Sequence, residues 1–401
     1  MKRESILELK LPEADGTLAP YMLRAATTWP ASPRSPQWNR VAFAAAHVVA
    51  DPLAAVDPWL TAAIDWDATL AFRRHLWAHG FAVAEAMDTA QRGMGLDWPT
   101  SLELIQRSVA EARTIEGAVV FCGAGTDHLA ASATTTRDYV VAAYEEQCAA
   151  VEAAGGRIIL MASRALAACA QAPDDYAYVY DRVLSQLREP VIVHWLGEMF
   201  DPALAGYWVG AHGQASDPDH AQAMDVCIGV VTANRAKIDG IKVSLLDKDK
   251  EVALRRRLPP GVRMYTGDDF NFAELIGGDA AGYSDALLGI FDAIAPAAAA
   301  ALTALTAGDR ARFDAILAPT VPLSRHIFAT PTRFYKTGVV FMAWLNGHQA
   351  HFSLVGGQQS ARSLVHLAEL FRLADAAGLL RDPHVATARM RSLLNVYGIA
   401  D

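Results

Sequence analysis

The 401-residue chain is 52% hydrophobic and 20% charged, which is material for a large buried core in one big domain or two modest ones. A formal net charge of −9 excludes a polyanion-binding surface, and the only compact basic run, Arg255-Arg256-Arg257, reads as a solvated helix end. Four cysteines (Cys122, Cys148, Cys169 and Cys227) stand far apart in apolar settings and read as buried free thiols.

The first ten residues, MKRESILELK, interleave charged and apolar side chains and do not read as a signal peptide. From Ser5 to Arg24 the pattern alternates around Asp15-Gly16 and predicts a hairpin. A Pro-, Ser- and Trp-containing loop, Trp29 to Trp38, leads into a rhythm of short apolar runs and longer amphipathic segments, the pattern of parallel βαβ units. Eight strands are predicted: Arg40 to Val48, Gly80 to Met87, Gly117 to Gly125, Arg157 to Ser163, Pro190 to Leu196, Lys237 to Leu245, Val262 to Gly267 and Ala280 to Asp285. Helices are predicted between them over Trp66 to His79, Leu102 to Thr114, Tyr139 to Ala154 and Tyr176 to Leu187. The Ala-rich stretch Ala286 to Ala307, which holds Asp292 and Pro296, suits a buried barrel helix better than a membrane span. Beyond Pro296 the rhythm stops, and helices are predicted over Arg310 to Leu317, Thr337 to Leu345 and Ser360 to Ala377. The expected fold is α/β: a (β/α)8 TIM barrel over 39–296, preceded by a hairpin and loop (1–38) and followed by a C-terminal helical extension (297–401). The expected setting is the cytoplasm, with no nucleic-acid and no membrane partner.

Active sites of such barrels collect at the carboxyl ends of the strands. Near those predicted ends stand His47, Glu85 with Asp88 and Thr89, Asp127 with His128, and Ser163 with Arg164. The second half adds His194 with Glu198, Lys242 with Ser244 and Asp247, Asp268 with Asp269, and Ser284 with Asp285. Lys242 lies inside Ile-Asp-Gly-Ile-Lys-Val-Ser-Leu-Leu, whose other members favour burial. Desolvating its ammonium should lower its pKa and make a neutral, nucleophilic amine accessible; the alternatives are a lysine that snorkels outward or pairs with Asp268. His194 suits either a proton relay or a satisfied core histidine. Asp268-Asp269 suits hydroxyl binding or helix capping. Asp127, His128 and His47 lack HxH or HExxH spacing for a metal, and Gly123-Ala124-Gly125 lacks the third glycine of a nucleotide fingerprint.

Several segments agree in order and spacing with a known family. They are Ile64-Asp65-Trp66-Asp67 before Gly80, then Gly240-Ile241-Lys242, then Tyr265-Thr266-Gly267-Asp268-Asp269 with Leu275, Gly278, Gly282, Ser284 and Pro296, and finally Gly308-Asp309. From about His47 to about Leu354 the chain thereby resembles the dihydrodipicolinate synthase and N-acetylneuraminate lyase family. The resemblance implies a class I aldolase-type barrel with a helical extension, assembled as a homodimer or homotetramer, in which Lys242 matches the Schiff-base lysine. Two departures mark a divergent branch. The family's Tyr-Asn-x-Pro pattern, whose tyrosine shuttles protons, is replaced by Val193-His194-Trp195-Leu196-Gly197. Its Gly-Thr-Thr-Gly-Glu loop, which holds the pyruvate carboxylate, is replaced by Met87-Asp88-Thr89-Ala90-Gln91, where Asp88 would repel a carboxylate.

The expected function is a Schiff-base-forming lyase, aldolase or dehydratase acting on a sugar-derived carbonyl compound rather than pyruvate. An acid-lined mouth with several histidines would suit a neutral, hydroxyl-rich molecule. Lys242 would be the nucleophile and His194 the proton shuttle. His47, Glu85, Asp88, Thr89, Asp127, His128, Ser163, Ser244, Gly267 and Asp268 would contact the substrate. The N-terminal hairpin and the connection from Gly197 to Lys237 could cover the mouth. No cofactor beyond the covalent imine is expected. One alternative is a metal-dependent sugar isomerase or lyase using Glu85, Asp127, His128 and His194 as ligands; another is a non-catalytic ligand-binding relative.

Overall fold

The structure, a computed structural model, describes residues 7–30, 37–210 and 220–399. The centre of the expected Trp29–Trp38 loop and residues 211–219 of the connection expected over the mouth lie outside the described residues.

Strands β1 (Glu8–Pro12) and β2 (Leu18–Met22) form the predicted hairpin, pairing from Glu8 opposite Met22 to Pro12 opposite Leu18. Gly16 turns the corner at φ 85°, a conformation that costs little only without a Cβ. The hairpin does not cover the barrel mouth. It packs on the C-terminal helices, where Tyr21 donates to Asp375 at 2.7 Å and Arg372 pairs with Glu13 at 2.7 Å.

Eight parallel strands close a barrel: β3 (Ala42–Ala45), β4 (Ala82–Glu85), β5 (Val120–Ala124), β6 (Arg157–Leu160), β7 (Val191–Leu196), β8 (Ile238–Ser244), β9 (Arg263–Thr266) and β10 (Asp285–Leu288), with β10 paired to β3. Seven lie within their predicted segments. The eighth was expected over Ala280 to Asp285 and instead begins at Asp285. Gly278 (φ 76°) and Gly282 (φ 145°) bracket a tight turn bridged between Asp279 and Gly282, which breaks any strand there. The Ala286-Leu287-Leu288 run, read from the sequence as part of a helix, is the strand. Ser284 and Asp285 therefore stand at the amino end of β10, away from the mouth, and Asp285 accepts the Val41 amide at 2.7 Å.

The barrel helices are α1 (Trp66–Ala78), α2 (Trp98–Ala112), α3 (Arg137–Ala154), α4 (Arg164–Cys169), α5 (Pro173–Gln186), α6 (Ala221–Ala233), α7 (Lys248–Arg255), α8 (Phe272–Gly277) and α9 (Ile290–Thr306). Helix α9 runs through Pro296, so the boundary expected after that residue falls inside a helix. The extension then supplies α10 (Arg310–Leu317), α11 (Thr320–Ile327), α12 (Tyr335–Leu345), α13 (Leu364–Ala376) and α14 (Pro383–Val396). Among the described residues no helix is long and apolar enough to cross a membrane.

Strand alternation divides the interior into layers. Phe43, Phe121, Ile159, Ile192, Tyr265 and Leu287 point inward and plug the barrel; the Phe43 ring meets Phe121 and Tyr265 edge-on at 5.0 and 5.9 Å. Toward the carboxyl ends small residues take the inward positions. A Cβ on Gly123 would lie 2.6 Å from the Ala86 carbonyl oxygen, and one on Gly267 would lie 2.8 Å from Lys242 Cε. Gly267 thereby leaves the room that the Lys242 side chain fills.

Candidate active site

After β4 the chain turns through two non-glycine residues in the left-handed region, Ala86 (φ 50°) and Gln91 (φ 61°). Such strain survives only where surrounding bonds hold it. Here Glu85 accepts the Ala86 amide at 2.9 Å, and Gln91 donates to the Val355 carbonyl at 2.6 Å. The turn between them, a single 3-10 turn over Asp88–Ala90, carries Asp88 and Thr89 to the mouth.

There they meet Tyr335, the first residue of α12. Its hydroxyl donates to Asp88 Oδ2 at 2.9 Å and lies 2.7 Å from Thr89 Oγ1. Because the phenol proton goes to Asp88, Thr89 must donate to Tyr335. Burial, followed by the Asp88 charge, pushes the Tyr335 pKa well above its usual value, so the phenol keeps its proton. Burial works to raise the pKa of Asp88, but Lys242, His194, Lys336 and the Tyr335 hydrogen bond together hold it below the usual carboxylate range. Its Oδ1 is buried without a hydrogen-bond partner among the described residues.

His194 and Lys242 are cross-strand neighbours on β7 and β8. The His194 ring lies 3.1 Å through Nε2 from Ser244 Oγ. Burial, reinforced by the Lys242 charge, drives its pKa well below the usual imidazole value, so it stays neutral at ordinary pH. Lys242 is 4% exposed, and among the described residues its amine has no hydrogen bond or ion pair. Neither the expected alternative pairing with Asp268 nor an outward path occurs. Asp268 caps the start of the α8 segment, accepting the Phe270 and Asn271 amides at 2.8 and 3.0 Å. Its neighbour Asp269 is buried with its pKa raised to about 8 by desolvation, despite the opposing charge of Lys242.

Above this layer opens a cavity of about 250 Å³ whose wall includes Asp88, His194, Met161, Phe200, Tyr335 and Lys336. Lys242 is not part of the wall; it lies next to His194 and Asp88, which are. The acid-lined mouth expected from the sequence is not what forms. Asp127 is paired with Arg92 at 2.8 Å, and Asp201 with Arg164. Arg333 and Lys336, also on the wall, have no carboxylate within 4 Å among the described residues.

The remaining expected contacts are elsewhere. Glu85 is the last residue of β4 and faces outward, where Arg73 of α1 grips both of its oxygens at 2.8 Å and Ser108 of α2 donates to it. His47 is buried outside the cavity against Asp292 (2.8 Å) and Gln349 (3.2 Å). His128 sits at the rim between Gln147 and Glu146. Ser163 caps α4 through the Leu166 amide and lies 2.6 Å from Thr126 Oγ1. Among the described residues no three His, Cys, Asp or Glu side chains converge as a metal site requires. Of the four ligands the metal alternative needs, Glu85 and Asp127 are each taken by an arginine.

Tyr335 and Lys336 were not expected at the site. A usable signal was present: Lys336 opens a run, Lys-Thr-Gly-Val-Val-Phe-Met-Ala-Trp-Leu, that is buried throughout. A lone cation in an apolar element is the same cue that singled out Lys242.

A family model described as "Protein of unknown function (DUF993)" matches residues 9–399. No curated protein matches the sequence. Solved structures do match in fold. The dihydrodipicolinate synthase from Aquifex aeolicus is 13% identical with a TM-score of 0.59, covering 90% of this chain and 98% of that one. YagE, an E. coli prophage protein of the dihydrodipicolinic acid synthase family in complex with pyruvate, is 12% identical with a TM-score of 0.62, covering 90% and 99%. The enzyme from Cyanidioschyzon merolae with lysine bound is 14% identical with a TM-score of 0.60, covering 84% and 98%. At these identities the likeness is one of fold, the closed eight-stranded barrel with its helical extension.

Proposed function

The chain belongs to the family described as "Protein of unknown function (DUF993)", and for it we propose a Schiff-base-forming lyase, of the aldolase or dehydratase type, acting on a carbonyl compound. One observation carries the reading: a buried, unpartnered lysine amine on the sixth barrel strand, next to a neutral imidazole and an ionised carboxylate with a free oxygen. A lysine so placed has no structural task, since it satisfies no other group. Held by no group among the described residues, the amine is left to attack a carbonyl carbon.

The steps follow from the geometry. The Lys242 nitrogen bonds to the substrate carbonyl carbon, and the C=O π pair moves to oxygen, which takes a proton. Loss of water leaves an iminium. In a β-hydroxy substrate, removal of the hydroxyl proton breaks the adjacent C–C bond, and that bond's electron pair flows into the iminium to give an enamine. An aldehyde departs, the enamine carbon is protonated, and water releases the second product and the free amine. Asp88 is the better proton acceptor, because its Oδ1 is free while its Oδ2 is held by Tyr335. His194, kept neutral by burial, orients through Ser244 and polarises rather than cycling through an imidazolium. Tyr335 passes its proton to the leaving oxygen or the enamine carbon while taking up, across its hydrogen bond to Asp88, the proton that Asp88 removed, so both groups end as they began; this is the task of the tyrosine that β7 lacks. A sugar-derived carbonyl compound is the substrate class this reading keeps, with Asp88 Oδ1 on the cavity wall as the acceptor for a substrate hydroxyl.

Borohydride added during turnover of a carbonyl substrate should fix a stable mass on Lys242, read by peptide mass spectrometry. Label on no lysine, or on other lysines alone, would end this reading. Tyr335→Phe removes one proton and nothing else from the core; it should lower kcat by about 10²-fold, at the low end for general acid–base groups, with KM little changed. An unchanged kcat would remove Tyr335 from the chemistry.

A further inference from the structure

We propose that Lys336, in the first turn of α12, forms a cationic subsite that takes the acidic group, carboxylate or phosphate, of the substrate bound in the mouth. This rests on the imine reading for Lys242 and adds the substrate's charge class to it.

Lys336 is 3% exposed, yet the sole hydrogen-bond partner of its Nζ among the described residues is the Met94 thioether at 3.2 Å. A buried ammonium with only a weak acceptor is costly, and proteins normally pair such a group. Lys336 forms part of the cavity wall, as does Met94, the residue its amine touches. Charges on that wall give the same answer. Four cations (Arg92, Arg164, Arg333 and Lys336) face three carboxylates (Asp88, Asp127 and Asp201). The pairs Arg92–Asp127 and Arg164–Asp201 cancel. What remains is Lys336 and Arg333 against Asp88, and Asp88 is already engaged by Tyr335 and sits beside Lys242. An empty cavity of this kind has room for one more negative charge.

The charges that act on Lys336 are Asp88, Arg164 and Asp201; the Tyr335 ring lies 5.8 Å from its Nζ, and Arg333 shares the cavity wall. Desolvation, helped by Arg164 and opposed by Asp88 and Asp201, lowers its pKa to about 8. Its charge is therefore present below that pH and lost above it, and the preference for an anion should follow.

The test uses three short ketones that differ in charged group: 2-oxobutanoate, dihydroxyacetone phosphate and uncharged hydroxyacetone. Half-saturation of borohydride labelling at Lys242 is measured for each in the wild type, Lys336→Met and Lys336→Arg. In the wild type at least one charged probe should saturate at a concentration about tenfold or more below the neutral one, the effect of one charge-assisted bond. Which of the two does so identifies carboxylate or phosphate as the group. Lys336→Met should erase that advantage, so that charged and neutral probes saturate at similar concentrations, Lys336→Arg should keep part of it, and in the wild type it should fade above about pH 8. A charged-probe advantage that persists in Lys336→Met overturns the subsite while leaving the imine intact. Calorimetric titration with inorganic phosphate separates the reverse case. Phosphate binding that disappears in Lys336→Met, with no Lys242 label from any probe, keeps the subsite and removes the imine; no phosphate binding and no charged-probe advantage removes the subsite.

Discussion

Lys242→Ala is expected to abolish turnover, by about 10⁴-fold or more, as loss of a covalent nucleophile does when the rest of the machinery acts only through it. The fold should survive, because the Lys242 amine holds no hydrogen bond or ion pair among the described residues and its removal orphans nothing. Losing a buried positive charge should also be visible in its neighbours. The Lys242 charge helps depress His194 and Asp88, so both pKa values should rise in the variant. Turnover, a thermal melt and an NMR titration of the His194 ring measure the three effects. Turnover within tenfold of the wild type would eliminate the covalent mechanism. A cooperative melt lost together with activity would instead assign Lys242 to the fold.

Glu85→Ala is expected to destabilise the protein by about 3–5 kcal/mol, the cost of leaving a buried charge without its partner. Arg73 and Glu85 are both fully buried, and Arg73 closes two bonds of 2.8 Å onto the carboxylate. The orphaned guanidinium would keep only the His47 and Thr69 carbonyls. The same carboxylate also receives the Ala86 amide, so its loss should loosen the strained turn that presents Asp88. Urea midpoints at constant m-value provide the measure. The double variant Arg73→Met, Glu85→Leu should recover most of the loss, since an apolar pair of similar volume often replaces a buried ion pair without penalty. A shift below about 1 kcal/mol in Glu85→Ala would mean that water or another group reaches Arg73.

The barrel was legible because parallel strands covered on both faces must be short apolar runs, and seven of them stand apart between amphipathic helices. The eighth was lost because β10 passes through Gly289 directly into Ala-rich α9, so two apolar elements read as one. Lys242 was legible as a cation among apolar neighbours. Glu85 was misplaced for a reason that period-two counting exposes: Ala84 faces inward, so the next residue must face the helices. The charge of the mouth was not legible at all. Arg92 neutralises Asp127 from 35 residues away, and Arg164 neutralises Asp201 from 37. Local pattern carries no information on such pairings. Tyr335 was beyond reach for the same reason, being 247 residues from Asp88.

Helix α12 comes late in the chain, and the helices after it, α13 and α14, are clasped by the N-terminal hairpin through Asp375, Arg372 and Arg391. All eight barrel strands precede Tyr335 and Lys336 in the chain, so a chain cut after α9 would hold Lys242 and every strand of the cylinder but not those two side chains. Such a barrel would have a nucleophile but neither its proton donor nor its anion clamp. Chemistry would begin only when the last helices dock back onto the first strands.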